Sequence, residues 1–274
     1  MSQIALSHLH SRGRMLRKGC DNMAISEAIK TFSEPVNKLL VPLTSSAGRT
    51  LQDVWELVFG GFGNYVEKKR MVRLKALEDF KTSLENKVAA IPPEQLCEPS
   101  LSVVGPALDA SKYYFEEPEI REMFAKLIAS SMDRQRAPSI HPSFSEIIRQ
   151  MSPLDAQNLT YFTKGLPVVK YRKKHKTGDG FTVLFSNVFL ANPSEQDLEK
   201  QSVSLASRSR LGLINISYEQ WLNDESFYTA FERTALYQSL QAHLSGLENV
   251  HLDVIKGLAD PTPLGTQFIK VCLN

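Results

Sequence analysis

Residues 100–157 read SLSVVGPALDASKYYFEEPEIREMFAKLIASSMDRQRAPSIHPSFSEIIRQMSPLDAQ, and they decide the first half of the fold. Pro106, Pro118, Pro142 and Pro153 punctuate the stretch. Proline suits the first turn of a helix, where a missing N–H costs no hydrogen bond. Each is therefore expected to open a short helix. After Gly105-Pro106, Leu108, Ser111, Tyr114 and Phe115 share a face. After Pro118, Ile120, Met123, Phe124, Leu127 and Ile128 recur at i, i+3, i+4, i+7 and i+8, which marks one buried helical face. Glu116, Glu117, Glu119 and Glu122 gather at that helix's start and Arg134 and Arg136 at its end, an order that complements the helix dipole. Phe144, Ile147, Ile148 and Met151 form a third stripe behind His141-Pro142. Ser152-Pro153 with Asp155 reads as a capping-box start of a fourth helix. Four stripes joined by short breaks predict a compact antiparallel bundle whose apolar residues are core.

Towards the N-terminus the pattern stays helical. Residues 1–20 carry Arg12, Arg14, Arg17 and Lys18 and no acid. This basic arm, residues 1–23, reads as mobile. It is either a tail for nucleic acid or a membrane surface, or an over-extended start ahead of Met23. Ala24 to Phe32 reads as a helix. Pro35 and Pro42 bracket a small apolar piece, Val36 to Leu43. Leu51, Val54, Trp55, Val58 and Phe59 make a clean stripe opposite Gln52, Asp53 and Glu56. A membrane-surface helix carries Lys and Arg on its polar face, so this acidic one is expected to pack on the bundle instead. The following GGFG lacks the phosphate-loop pattern and reads as a turn. Residues 64–90 hold no Gly or Pro and predict the longest helix, with Met71, Leu74, Leu77, Phe80, Leu84 and Val88 in a narrow stripe that also suits a helix–helix dimer. Ile91-Pro92-Pro93 stops it.

Beyond residue 163 the composition changes. LPVVKYRKKHKTGDGFTVLFSNVFLA, residues 166–191, predicts strands at Val168–Tyr171 and Phe181–Leu190 around a Thr177–Gly180 turn. Asn192-Pro193 and Ser194 are expected to open a helix with Leu198, Val203, Leu205 and Ala206 towards the core. A strand at 213–218, a mostly helical insertion over 219–248, a returning strand at 250–258 and a last helix after Thr262-Pro263-Leu264-Gly265 complete the order. Helix, RLGLI, strand, return strand and TPLG into a helix is a winged-helix order, with an insertion longer than a usual wing. The fold expected is therefore mainly α: a helical domain over 24–163, then an α+β winged-helix-like domain over 164–274.

The chain has 274 residues and a formal net charge of +2, too small to imply nucleic acid by itself. Cys20, Cys97 and Cys272 are few and far apart, which argues against a disulfide framework or zinc site and fits a reducing cytosol. No apolar run approaches a membrane span, and no signal peptide is visible.

Four segments carry a family resemblance: GRTLQDVWELVFGG (48–61), IPPEQLCEP (91–99), VGPALDASKYYFEEPEIREMFAKLIASSMD (104–133) and HPSFSEIIRQMSPLDA (141–156). Residues 48–163 resemble the abortive infection alpha family, also known as a domain of unknown function, DUF4393. RLGLI and TPLGTQFIKVC are similar to the C-terminal part of its longer members. The resemblance implies a bacterial cytosolic protein of anti-phage defence, and it brings no catalytic residues.

The sequence also shows no H-E-x-x-H, G-x-S-x-G, Walker or paired-cysteine pattern. His141 reads as a helix cap, the Glu116–Glu122 acids as a helix start, and Cys97 as a packed residue. No enzyme activity, catalytic residue, metal or cofactor is expected. The binding candidates are basic: Lys170, Arg172, Lys173, Lys174 and Lys176 on the hairpin, with Arg208 and Arg210 on a recognition-like helix. Three functions follow. The leading one is a non-enzymatic defence protein acting through contacts with a protein partner or phage component, with self-association open. The second is a winged-helix nucleic-acid-binding regulator. The third is a membrane-active toxin using residues 36–66.

Overall fold

The computed structural model describes residues 46–59, 72–114 and 116–274. The basic arm, the helix at 24–32, the Val36–Leu43 piece, the GGFG turn and Met71 lie outside the described residues. The described elements are α1 (Ser46–Phe59), α2 (Val72–Ala89), α3 (Leu101–Ser111), α4 (Pro118–Ser131), α5 (Phe144–Arg149), α6 (Pro153–Leu159), β1 (Leu166–His175), β2 (Phe181–Val188), α7 (Leu198–Arg210), β3 (Ile214–Ser217), α8 (Ala235–Ser245), β4 (Val250–Pro261) and α9 (Pro263–Cys272). The architecture is mixed α+β. Two compact units divide the chain, the first within 1–116 and 128–138, the second 117–127 and 139–274.

In the first unit α1 buries Leu51, Val54, Trp55 and Phe59, as its stripe predicts. Trp55 stacks on Phe80 of α2 at 6.1 Å between ring centroids, and α1 packs along α3. Leu77, Phe80, Leu84 and Val88 are the buried stripe of α2. The segment 91–99 is pinned to the turn after α4. Cys97 N–H donates to Met132 O at 2.8 Å, and Arg134 N–H to Gln95 O at 2.8 Å. Helix α3 starts a turn earlier than the proline rule suggests. Ser100 sits in an extended conformation, and the N–H groups of Val103 and Val104 both reach its carbonyl at 3.0 Å. Pro106 therefore lies inside the helix with its ring exposed, where it removes one rung. No described helix is long and apolar enough to cross a membrane.

In the second unit the capping box of α6 forms as read. Asp155 N–H donates to Ser152 Oγ at 3.2 Å, and Ser152 N–H donates to Asp155 Oδ2 at 2.9 Å. Phe144, Ile147, Ile148 and Met151 are buried, and Phe144 meets Phe268 of α9 edge-on at 5.1 Å. Four antiparallel strands form one sheet in the order β2-β1-β4-β3. Gly178, at φ +85°, makes the hairpin between β1 and β2, and the insertion carries α8 onto one sheet face. There Val169, Tyr171, Val188, Tyr228 and Phe231 form a core that Leu236, Tyr237 and Leu240 of α8 pack against.

RLGLI and TPLG meet in space. Gly212, at φ +73°, and Leu213 close α7 by donating to Ser209 O and Arg208 O, each at 3.0 Å. Thr262 N–H then bonds Leu213 O at 3.0 Å, and Thr262 Oγ1 caps α9 by accepting from Gly265 N–H at 2.9 Å. A Cβ on Gly265 would lie 1.9 Å from Leu213 O, so only glycine lets these backbones approach.

Helix α7 departs from expectation twice. Its N-cap is Asp197, whose side chain accepts from Glu199 and Lys200 N–H, so Asn192-Pro193-Ser194 precedes the helix rather than opening it. Its inward face is polar. Gln201, Ser204, Leu205 and Arg208 are buried, whereas Val203 is 69% exposed and Ala206 faces solvent. The residues that α7 meets are themselves hydrogen-bonding groups, so polar side chains satisfy them there.

Candidate functional site

Side chains alternate along a strand, so β1 sends Val169 and Tyr171 into the core beneath α8 and Lys170, Arg172 and Lys174 to the opposite face. Register fills in their neighbours. Strand β4 sets Ile255, Asp253 and His251 beside Lys170, Arg172 and Lys174. Strand β2 sets Val183 and Phe181 beside Arg172 and Lys174. The β1–β2 pairing shifts between Tyr171 and Arg172, so Phe185 turns to the core while Val183 and Phe181 stay on the open face. Phe181 is 54% exposed and Val183 43%.

Two of the cations on this face lie against rings. Lys170 Nζ lies 3.9 Å from the Tyr218 ring centroid, and Arg172 Cζ lies 4.6 Å from that of Phe181. Arg172 Nε also donates to Asp253 Oδ2 at 2.8 Å. Tyr218 is clamped at its far end. Its hydroxyl donates to Asn187 Oδ1 and accepts from Asn187 N–H, both at 2.9 Å, and burial pushes its phenol above the usual range. Asn187 sits at φ 56°, and Gly257 leaves room for the ring, since a Cβ there would lie 2.7 Å from it. Lys176 is exposed just past the end of β1.

A family model described as abortive infection alpha matches residues 72–272. The chain belongs to the abortive infection alpha family. The matched span takes in helical residues from α2 onward and nearly all of the sheet unit, while GRTLQDVWELVFGG lies before it. No curated protein and no solved structure matches this abortive infection alpha protein.

The basic residues singled out in the sequence separate in space. Lys170, Arg172 and Lys174 share the open face, with Lys176 next to it. Lys173 pairs with Thr182 and Leu252 on the reverse face. Arg210 is exposed and donates to Gln150 Oε1 at 3.0 Å. Arg208 is a correction: it is fully buried between Phe162 and Phe189, its Cζ 5.2 and 5.8 Å from their centroids, so it presents nothing to a partner.

Arg208 belongs to a polar node that sequence reading missed. Ser204 Oγ donates to Asp155 Oδ1 at 2.6 Å and accepts from Arg208 Nη1 at 3.2 Å and Asn158 Nδ2 at 3.0 Å. Asn158 Nδ2 also reaches Gln201 Oε1 at 2.7 Å, and Asn192 Nδ2 donates to Asn158 Oδ1 at 2.7 Å. Nε and Nη2 of Arg208 have no partner, and burial pulls its pKa down to about 10 against the opposing pull of Asp155. The signal was in the spacing: Gln201, Ser204 and Arg208 fall at i, i+3 and i+7.

The remaining candidates resolve into structural roles. His141 Nδ1 accepts from Ser143 N–H at 3.2 Å at the start of α5. Glu119 accepts from Gln157 Nε2 at 2.7 Å on the wall of a cleft of about 420 Å³, where Lys126 donates to the carbonyl of Leu273. Among the described residues no group of three or more His, Cys, Asp or Glu is placed to hold a metal.

Proposed function

We propose that this abortive infection alpha protein is a non-enzymatic, cytoplasmic defence protein that acts by binding, with the open sheet face as its contact surface. One observation carries the reading: Lys170 and Arg172 are held against aromatic rings on a face where Phe181 and Val183 stay exposed. An aromatic ring beside an arginine is the pairing of side chains enriched at contact surfaces. The family supplies the setting, abortive infection.

The test is phage challenge at low and high phage-to-cell ratio. Cells carrying the wild-type chain survive at low ratio and collapse at high ratio. Lys170→Glu/Lys174→Glu/Lys176→Glu loses protection while its melting temperature stays at the wild-type value. Full protection by that variant would sink the reading.

The winged-helix reading has the order α7, β3, β4, α9 and the Gly212 turn in its favour. In it, duplex nucleic acid would be met by α7. That route is poorly served: Arg208 is buried, Arg210 is bonded to Gln150, and Lys200 lies 3.8 and 3.7 Å from Glu195 and Asp197. The toxin reading of 36–66 rests mostly on residues outside those described, and the α1 stripe within it is packed inward.

A further inference from the structure

We infer that the open sheet face binds a single-stranded polynucleotide, its phosphates on Lys170, Lys174 and Lys176 and a base on Phe181; this rests on the contact surface proposed above. Three features of the face converge. Lys170, Arg172 and Lys174 alternate along β1, which puts successive cations about 6.6 Å apart in a line. Such a row neutralises a phosphodiester backbone laid along the strand. Phe181 stands beside that row with half its surface in solvent. An exposed ring next to cations is the platform on which unpaired bases stack, at about 1–3 kcal/mol per base. A duplex keeps its base faces inside the stack and has no use for the ring.

One acid of the face takes the middle cation of the row and leaves Lys170 and Lys174 for phosphate. Asp253 is committed to Arg172 at 2.8 Å, where it helps hold the guanidinium over Phe181. Asp179 is exposed on the hairpin turn. His251, exposed opposite Lys174, adds a further donor. An acidic protein surface would meet the same cations, and it is the occupant left if the single strands below do not bind.

Fluorescence anisotropy of the full chain tests this, with labelled dT20, rU20 and a 20-base-pair duplex at 50 and 200 mM NaCl. Both single strands are expected to bind at least tenfold more tightly than the duplex, and to lose about tenfold or more in affinity between the two salts. Lys170→Glu/Lys174→Glu/Lys176→Glu is expected to lose tenfold or more. Phe181→Ala is expected to lose about fivefold to a hundredfold with its salt dependence kept. Both variants are compared at the wild-type melting temperature, and all substituted side chains are at least partly exposed. Duplex binding as tight as single-strand binding overturns the inference, as does a Phe181→Ala variant that binds like wild type. Absence of single-strand binding at 50 mM NaCl overturns it too. If the lysine variant then still loses phage protection, the contact surface stands with a different partner; if it protects, both readings fall.

Discussion

Ser204 Oγ donates to Asp155 Oδ1 at 2.6 Å, which ties the middle of α7 to the first turn of α6. The same carboxylate accepts from Ser152 N–H and closes the capping box, and Ser207 Oγ lies 3.4 Å from it. One buried acid therefore starts one helix and docks another. Asp155→Ala is expected to cost about 3 kcal/mol or more, because it opens the capping box, leaves the buried Ser204 hydroxyl without its acceptor and removes the negative charge that faces buried Arg208. Ser152→Ala, which removes the cap alone, is expected to cost about 1 kcal/mol. Urea titration of the two variants checks the order, and equal losses would contradict it.

Arg208→Met is expected to leave stability within about 1 kcal/mol of wild type or to raise it. The guanidinium leaves two nitrogens unbonded, and it does not bond the Asp155 carboxylate, which keeps its bonds from Ser152 and Ser204. Burial lowers the folded-state pKa to about 10, below the ordinary arginine range. The unfolded chain thus holds this proton more firmly. The charge weakens the fold at all pH below about 10 and is relieved only as pH rises through that value. A loss of more than 2 kcal/mol at neutral pH would show that the cation holds the node together.

Gly265→Ala and Gly212→Ala separate two uses of glycine. The first drives a Cβ to 1.9 Å from Leu213 O and is expected to cost about 3 kcal/mol or prevent folding. The second meets only an ordinary contact, 3.7 Å to Leu264, but a φ of +73°, and is expected to cost about 1–2 kcal/mol. Thermal melts rank them, and a reversed order would mean the α9–Leu213 approach is loose.

Glu85→Gln is expected to raise the melting temperature slightly at pH 7 and to leave it unchanged at pH 4. Burial holds the Glu85 carboxyl above its ordinary value of 4.5, with Lys81, 3.8 Å away, pulling the other way. The folded state then keeps a proton that the unfolded state releases, so stability falls as pH rises from about 4.5 through the folded-state value. Glutamine removes that fall. A gain of the same size at pH 4 would point to packing instead.

Cys272 is fully buried and its thiol is pushed well up by burial, whereas Cys97 is half-buried with a smaller rise that Arg134 offsets. At pH 7.5 N-ethylmaleimide is expected to label Cys97 slowly and Cys272 only after unfolding. Peptide mass mapping of each position reads the two rates. Labelling of native Cys272 at the Cys97 rate would show that α9 opens.

Local rules made much of the fold legible. The stripe from Ile120 to Ile128, the Ser152–Asp155 box, the Gly178 hairpin and the Gly212 helix end each depend on residues a few positions apart, and each stands where the sequence places it. The start of α3 is the exception: the helix begins at Leu101, five residues before Pro106, with no side-chain cap from Ser100. The family, too, was readable from the motifs.

The candidate site was only half legible. Seven basic residues stand out in the chain, and alternation along β1 alone separates Lys173 from Lys170, Arg172 and Lys174. Sequence by itself determined the helices, the hairpin and the presence of a basic strand, because those follow from propensity, periodicity and turn chemistry. Tertiary structure alone decided that Phe181, Tyr218 and His251 share the face with the lysines, because cross-strand register and one bulge set those neighbours. It alone decided that Arg208 is interior, because the groups that make a polar helix face the buried one, Asp155 and Asn158, lie 53 and 50 residues earlier in the chain.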